Sequence, residues 1–196
     1  KKKFHPNESI CLNLALSYRN IYNFDQSIKF YKEALQINEE STNTIFELTK
    51  TYILKEDFIS ALEALDNLSL KNKNTKELNY YYGYIYERLG NLEKAKKFLT
   101  KELRSSPEHI PSLYVLGTVN ERSGNYESAL ENYKKSNSLS KSKIGTNAIA
   151  NLLLRQKKYD EALSFIENSL KFYSESIQGL TTKAAILSGQ KKYIDS

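Results

Sequence analysis

The sequence has no tryptophan and no methionine, a single cysteine, three prolines and seven glycines among its 196 residues. The single Cys11 cannot form a disulfide within the chain, so cysteine usage does not define a redox compartment. The scarcity of glycine and proline argues against an all-β chain and favours helices with short connections. The chain contains no apolar run long enough to span a membrane and no signal-peptide core. We therefore expect a globular, mainly helical chain.

The chain opens on Lys1-Lys2-Lys3 rather than on methionine, which indicates a fragment or a processed product. Any targeting signal is then expected outside the fragment. The localisation is unknown from the sequence, with the cytoplasm as the default expectation.

Positive charge is concentrated in the second half of the chain. The formal net charge is +6; residues 1–89 carry 12 basic and 12 acidic groups, whereas residues 90–196 carry 17 and 11. Residues 134–158 contain no acidic residue at all. The basic members of this segment, called the basic stretch below, are Lys134, Lys135, Lys141, Lys143, Arg155, Lys157 and Lys158. Such a stretch can attract an acidic protein or a nucleic acid, although most lysine-rich helix faces are only solvated.

The chain repeats itself with a period of 34 residues, as shown when residues 88–99 are placed over residues 122–133. In each unit a small residue is followed, four positions later, by a large apolar one: Ser27 and Tyr31, Ala61 and Leu65, Ala95 and Leu99, Ala129 and Tyr133, Ala162 and Ile166. A second apolar series with offsets of three and four precedes each pair, as in Tyr82, Gly83 and Tyr86. Such offsets are typical of one face of an α-helix, so each unit is predicted to contain two helices.

The break between the two helices of a unit carries capping and turn residues. The predicted caps of the second helices are Asn23, Asp57, Asn91 and Asn125. Gly90 and Gly124 directly precede two of these caps and suit the left-handed backbone at the end of a first helix. The small residues of the two helices are predicted to face one another, so that the backbones approach closely.

This pattern resembles the tetratricopeptide repeat (TPR), a helix-turn-helix unit with small and aromatic residues at fixed positions. The resemblance covers a single domain, residues 8–196, as five repeats (8–41, 42–75, 76–109, 110–142 and 143–176) and a partial sixth (177–196). It implies an all-α, right-handed superhelical α-solenoid of stacked hairpins with about 11 helices. Residues 1–7 are interpreted as an N-terminal tail or the remnant of a preceding repeat. The usual tryptophan is missing, and Lys183 interrupts the apolar series of the sixth unit.

The sequence offers no set of residues for catalysis, a metal or a cofactor. His5 falls in the tail and His109 between two repeats, and neither has carboxylate or thiol neighbours at metal-ligand spacing. No phosphate-binding glycine loop and no nucleophile–histidine pair is present. Cys11 belongs to the inward series of the first helix and is predicted to be a small buried hydrophobe. We therefore expect a non-catalytic protein that needs no cofactor or metal.

The resemblance also assigns ligand positions, because members of the family usually hold ligands in the concave groove with the second, fifth, sixth and ninth residues of each first helix. The candidate groove residues here are Leu12, Leu16, Phe46, Lys50, Tyr80, Tyr81, Tyr84, Tyr114, Asn147 and Asn151. The five tyrosines of residues 79–86 then divide. Tyr82 and Tyr86 belong to the predicted core, whereas Tyr80, Tyr81 and Tyr84 line the groove. The alternative is that Tyr80 or Tyr81 only packs against a neighbouring repeat.

The expected ligand is a peptide or helix of another protein. Chaperone-binding members of the family clamp a C-terminal carboxylate with lysine, asparagine and arginine side chains. The matching places here hold Leu12, Leu16, Glu47, Glu77 and Tyr81, so the clamp is absent. An apolar or extended segment is favoured instead, since aromatic side chains are good interface anchors and amides can pair with a peptide backbone.

Other interpretations stay open. The chain can be the TPR targeting domain of a larger enzyme or of a secretion or assembly complex. Nucleic-acid binding through the basic stretch is the less favoured alternative, since arginine is scarce. The apolar face of the partial sixth repeat favours self-association through the C-terminal end.

Overall fold

The computed structural model describes residues 7–71, 77–140, 143–172 and 174–194. Within these ranges the chain forms eleven helices and no strand, which confirms the predicted all-α class. The helices are α1 (Glu8–Asn20), α2 (Phe24–Ile37), α3 (Thr42–Leu54), α4 (Phe58–Lys71), α5 (Leu78–Arg88), α6 (Leu92–Ser105), α7 (Ile110–Arg122), α8 (Tyr126–Ser140), α9 (Lys143–Arg155), α10 (Tyr159–Phe172) and α11 (Ile177–Ile194). His5, Lys141 and the side chain of Lys143 lie outside the described part of the chain.

The helices form two compact units. Unit 1, Lys1–Asn91, contains α1 to α5, and unit 2, Leu92–Ser196, contains α6 to α11. In unit 1 the hairpins are α1 with α2 and α3 with α4; α2 packs against α3, and α4 against α5. In unit 2 the hairpins are α7 with α8 and α9 with α10; α6 packs against α7, α8 against α9, and α11 against both α9 and α10.

The first hairpin shows why its two helices carry small residues. Ser27 and Ala15 are fully buried, and the Ser27 hydroxyl donates a hydrogen bond of 2.8 Å to the Ala15 carbonyl oxygen. A side chain of α2 therefore reaches the backbone of α1, which requires the helices to lie close together. Tyr31, one turn after Ser27, is fully buried as well, and Cys11 is buried as predicted.

In unit 2 the close contact at Gly117 involves a ring rather than a second small residue. A Cβ atom on Gly117 would lie 2.5 Å from Cε1 of Tyr133. Tyr133 follows the small Ala129 by one turn on α8, and both are buried. The glycine is therefore needed because the Tyr133 ring occupies the space that a Cβ atom would take.

The turns inside the hairpins share one backbone hydrogen bond. Asn23 N–H donates to the Tyr18 carbonyl oxygen at 2.9 Å in the α1–α2 turn, and Asn125 N–H donates to the Asn120 carbonyl oxygen at 2.8 Å in the α7–α8 turn. Gly90 and Gly124 have the left-handed φ values predicted for them, 79° and 78°. At the same position of other hairpin turns, non-glycine residues take this conformation without any signal in the sequence: Tyr22, Glu56 and Lys157 have φ values of 60°, 62° and 58°. The recurring bond across six residues stabilises this conformation even without glycine.

Two of the predicted N-caps, Asn23 and Asp57, are observed. The Asn23 side chain accepts from Gln26 N–H at 3.3 Å, and Asp57 accepts from Ser60 N–H at 3.1 Å.

Helix α11 departs from the repeat, because it contains 18 residues where α9 contains 13. The letters QKKY occur at 156–159, where the first three form the turn before α10, and again at 190–193, where all four are helical. The segment QKK thus adopts two backbones, so local propensity alone does not determine its conformation.

Candidate partner-binding surfaces

Four aromatic rings from two helices form a cluster in unit 1. The aromatic cluster comprises Phe46 on α3 and Tyr80, Tyr81 and Tyr84 on α5, all partly buried. The rings of Phe46 and Tyr81 meet edge-on, with centroids 5.1 Å apart and planes at 87°. Tyr80 lies 5.0 Å from Tyr81 and 6.2 Å from Tyr84, at angles of 64° and 43°. The structure therefore brings together four of the ten predicted groove residues.

A network of charged side chains flanks the cluster. Arg19 Nη1 donates to Glu47 Oε2 at 2.6 Å, and Lys50 Nζ pairs with the other oxygen, Glu47 Oε1. Burial alone would raise the pKa of Glu47, but the hydrogen bonds and charges of Lys50 and Arg19 lower it below its ordinary value. The Lys50 ammonium also lies 5.0 Å from the centroid of the Phe46 ring. Lys50, a predicted groove residue, is thus held by neighbours of its own chain.

The phenols of Tyr80 and Tyr81 are strongly protected from ionisation. Burial, followed by the neighbouring Tyr81 and Tyr84, raises the pKa of Tyr80 to about 12. Burial, followed by the charges of Glu77 and Glu47, raises the pKa of Tyr81 to about 12 as well. Both hydroxyls are therefore neutral at physiological pH.

The core role predicted for Tyr82 agrees with the structure. Tyr82 is 7% exposed, and its hydroxyl donates to Asp66 Oδ1 at 2.6 Å. Burial and then the hydrogen bond with Asp66 raise the pKa of the Tyr82 phenol. Tyr86 is partly rather than fully buried. The tyrosine run therefore has one side in the core and another in the aromatic cluster.

A second surface, the amide pocket, is found in unit 2. Its volume is about 520 Å³, and its polar and aromatic lining comprises Tyr114, Asn147, Asn151, Gln178, Thr181 and Thr182. The described residues around it carry no charge. Asn147 Nδ2 approaches Gln178 Oε1 at 3.5 Å, a weak interaction that leaves both amides able to bind another group. The pocket thus contains three of the ten candidate groove residues, together with Gln178, Thr181 and Thr182 of α11, which occupy the same ligand positions of the partial sixth repeat.

The predicted groove residues of α1 and the apolar residues of α11 differ in burial. Leu12 and Leu16 are partly buried on α1. Ile177, Leu180 and Leu187, on the face proposed for self-association, are 78%, 50% and 44% exposed. The residues at the corresponding repeat positions of earlier units, such as Leu113 and Leu153, are buried. Lys183, which interrupts this series, pairs with Glu167 at 2.7 Å.

The basic stretch does not form one patch among the residues that the structure describes. Lys134 and Lys135 are exposed on α8, and the Lys134 ammonium lies 5.6 Å from the Phe165 ring centroid. Arg155, at the end of α9, donates to Glu121 Oε1 at 2.9 Å. Lys157 and Lys158 are exposed in the following turn. The stretch is therefore distributed over three elements, and its arginine is paired.

A more compact cationic surface lies on α6, where the sequence pattern does not predict one. A cleft of about 540 Å³ is lined by Lys96, Lys97, Phe98, Lys101 and Arg104, together with Glu93 and Thr100. The sequence obscures it because Glu102 interrupts the run of basic residues. Glu102 is only 6% exposed, so it does not belong to the outer face. An acid on the buried side of a helix thus interrupts a basic run in the sequence without interrupting the basic surface.

The described residues contain no group of three or more His, Cys, Asp or Glu side chains placed to hold a metal ion. His109 instead shares a hydrogen bond of 2.7 Å with the Ser112 hydroxyl at the start of α7. Among the same residues, no helix has the length and apolar character that a membrane crossing needs.

The repeat geometry agrees with the comparison to known families. The tetratricopeptide repeat model matches residues 8–41, 77–109 and 110–143, more than half of the chain. The chain belongs to the tetratricopeptide repeat family. It is 31% identical over 140 residues to the TPR repeat-containing protein MJ1428 of Methanocaldococcus jannaschii. That match covers 69% of this chain but only 24% of the relative, so the chain spans about a quarter of the curated protein it resembles.

Solved structures of TPR proteins share the fold. The thermophilic TPR protein TTC0263 of Thermus thermophilus superposes with a TM-score of 0.73 at 21% identity, covering 92% of this chain and 98% of the other. YrrB, described as a TPR protein with an unusual peptide-binding site, superposes with a TM-score of 0.66 at 13% identity, covering 91% and 92%. At these identities the likeness shows the fold alone. The TPR family to which the chain belongs suggests a protein–protein interaction scaffold.

Proposed function

We propose that this chain binds a short segment of a partner protein with the side chains at the ligand positions of its first helices. The family and the fold indicate a protein–protein interaction scaffold, and proteins of this kind are generally non-catalytic. The observation that carries the finer proposal is the clustering of Phe46, Tyr80, Tyr81 and Tyr84 on one side of α3 and α5. Interface hot spots are enriched in such partly buried aromatic side chains.

The amide pocket of unit 2 supports the same function with different chemistry. Asn147 and Asn151 occupy successive turns of α9, and Gln178 lies across the pocket on α11. Each amide offers both a donor and an acceptor, which is the combination that an extended peptide backbone needs. The two surfaces are proposed to bind a partner segment each in its own unit. The peptide-binding site described for YrrB makes peptide binding a reasonable expectation for a chain of this fold.

The proposal is tested by selecting peptides from a random displayed library against the chain and measuring their affinity for matched variants. The variants Phe46→Ala/Tyr84→Ala and Asn147→Ala/Asn151→Ala remove the two surfaces. The control Ile59→Ala/Tyr126→Ala removes exposed apolar groups, 61% and 45% exposed, from second helices. Circular dichroism and urea unfolding confirm that each variant folds.

At least one surface variant is expected to lose about tenfold or more in affinity, because a single hot-spot side chain is worth about 2 kcal/mol. The control is expected to bind as the parent does. Selected peptides that bind the parent and both surface variants equally well would show that the ligand positions are not the binding surface.

A further inference from the structure

We propose that the cationic cleft on α6 binds an acidic segment of a partner protein. The cleft has a volume of about 540 Å³, and its basic lining residues are Lys96, Lys97, Lys101 and Arg104. All four are exposed and belong to a second helix, so the cleft uses none of the ligand positions of the first helices. Three features favour this occupant: the cations are unpaired, they follow one face of the helix, and an apolar wall lies beside them.

The four cations of the cleft have no partner within the part of the chain that the structure describes. No hydrogen bond or ion pair involves their side chains, although Glu93 precedes Lys97 by one turn and lines the same cleft. In unit 1, by contrast, every described basic side chain contacts a carboxylate or an aromatic ring: Arg19, Lys29, Lys32, Lys50, Lys55, Lys71 and Arg88. With four basic and one acidic side chain in its lining, the cleft keeps a net positive charge.

The stability of α6 does not explain its three exposed lysines. Arg104 in the last turn and Glu93 in the first turn have the signs that the helix dipole favours. Lys96, Lys97 and Lys101 lie between these turns, where the dipole has little effect. Lys97 and Lys101 are moreover four residues apart, a spacing at which like charges destabilise a helix. An anionic group bound between them would relieve this repulsion.

The spacing of the cations suits separate carboxylates better than a continuous run of phosphates. Lys97, Lys101 and Arg104 have offsets of four and three, so they lie along one face of α6 over a rise of about 10 Å. Acidic residues at the same offsets of a partner helix span the same distance. A nucleic acid strand instead presents a phosphate about every 3.4 Å. Glu93 repels such a run, whereas the spaced carboxylates of a peptide can avoid it.

The cleft also offers apolar contacts, which a protein segment can use between its acidic residues. The partly buried Phe98 lines the cleft together with the four basic side chains. The aliphatic parts of lysine and arginine side chains cover apolar surface while their charged ends stay in water. Protein interfaces combine aromatic contacts with charges that steer the partner and set its specificity. An acidic segment with apolar residues between its carboxylates is therefore the complementary ligand.

The test measures binding of a fluorescein-labelled peptide of glutamate, leucine and alanine to the chain by fluorescence anisotropy. Two reference probes have the same label: the same peptide with glutamine in place of every glutamate, and an oligothymidine of equal negative charge. The variant Lys97→Gln/Lys101→Gln removes two charges from the cleft. The matched control Lys157→Gln/Lys158→Gln removes two exposed charges from the turn after α9, in the same unit. Circular dichroism and urea unfolding confirm that each variant folds.

The acidic peptide is expected to bind more tightly than either reference probe, with an affinity that falls as the salt concentration rises. The cleft variant is expected to weaken it about tenfold, which corresponds to about 1.4 kcal/mol for two charge contacts, and the control less than about twofold. Equal losses in the two variants would show attraction to net charge alone and would overturn the proposal. Equal binding of the glutamine peptide would also overturn it, and tighter binding of the oligothymidine would overturn it in favour of a nucleic acid.

The outcome is separable from that of the proposed function, because the two surfaces share no residue. Phe46→Ala/Tyr84→Ala and Asn147→Ala/Asn151→Ala are expected to bind the acidic peptide as the parent does. Loss of acidic-peptide binding in either variant would place the site on the first helices and overturn the proposal for the cleft.

Discussion

The ring of Tyr81 on α5 meets the ring of Phe46 on α3 edge-on, with the centroids 5.1 Å apart and the planes at 87°. The two residues belong to different helices, so their contact fixes the rings before any ligand arrives. A pre-ordered surface loses less conformational entropy on binding than one with mobile side chains. The packing between helices of unit 1 thus prepares the surface that we propose as functional.

The ion pairs of Glu47 give a pH-dependent contribution to stability. Glu47→Gln is expected to lower the free energy of unfolding by about 1 kcal/mol at neutral pH, because it weakens charge-assisted bonds to Arg19 and Lys50. The folded-state pKa of Glu47 is lowered, so the contribution is complete above the unfolded-state pKa and is lost as pH falls through the folded-state value. Urea unfolding at a series of pH values should show the difference between parent and variant shrinking in acid.

The matched control is Glu63→Gln, which changes an exposed glutamate on α4 and should have little effect at any pH. A difference between the parent and Glu47→Gln that stays constant down to acid pH would contradict the assigned ion pairs.

Gly117→Ala tests the close approach of Tyr133 to α7. Helix propensity alone would make alanine more stable than glycine by about 1 kcal/mol. The added Cβ, however, would lie 2.5 Å from the Tyr133 ring, so the variant is expected to be destabilised by about 1–3 kcal/mol. Urea unfolding shows whether Gly117→Ala raises or lowers the free energy of unfolding. A more stable variant would show that the Tyr133 ring moves aside freely.

Gly124→Ala provides the comparison for that variant. Nothing lies within 4 Å of its added Cβ, but its φ is +78°, so it should lose about 1 kcal/mol through backbone strain. In a double-mutant cycle Tyr133→Leu should couple to Gly117→Ala and not to Gly124→Ala.

Tyr82→Phe removes the hydroxyl that donates to Asp66 Oδ1 at 2.6 Å. The free energy of unfolding is expected to fall by about 1–2 kcal/mol, since hydrogen bonds to charged groups are among the stronger ones. Thermal and urea unfolding measure the loss, and Tyr22→Phe at an exposed site serves as the reference. Equal stability of the two variants would show that the Tyr82 hydroxyl does not stabilise the fold, which would contradict the core role of Tyr82.

The phenols of Tyr80 and Tyr81 should ionise at a higher pH than those of exposed tyrosines. Tyr80 and Tyr81, with pKa values of about 12, are expected to remain protonated when exposed tyrosines, with pKa values of about 10, have ionised. Because the folded state keeps protons that the unfolded state releases, stability should fall as pH rises above about 10. Ultraviolet absorbance titration of the parent and of Tyr81→Phe checks this; loss of a group titrating near 10 in the variant would contradict the burial of Tyr81.

Helical spacing predicts more of this protein than it does for most chains, because the repeat aligns every unit. It separates Tyr82 from Tyr80, Tyr81 and Tyr84, and it places the left-handed turn at Gly90 and Gly124. It does not predict the Arg19–Glu47 pair, since a charge interaction between hairpins depends on rotamers and on the distance between helices. The cationic cleft on α6 escapes prediction for a related reason, because burial of Glu102 is a tertiary property.

The two QKKY segments show the limit of local sequence most clearly. At 156–158 the chain turns, with Lys158 N–H bonded to the Leu153 carbonyl at 3.0 Å, and α10 packs back on α9. At 190–192 the same letters continue α11. Local propensity alone therefore does not determine the conformation of identical residues, and a prediction from the repeat alone places a turn at both sites.

Binding of the partner segment by the first helices is tested by amide hydrogen exchange of the chain, measured with and without a library-selected peptide at saturating concentration. We expect added protection in α3 and α5, or in α9 and the start of α11, with α2, α4, α8 and α10 unchanged. Protection confined to the second helices, or to the cationic face of α6, would contradict it.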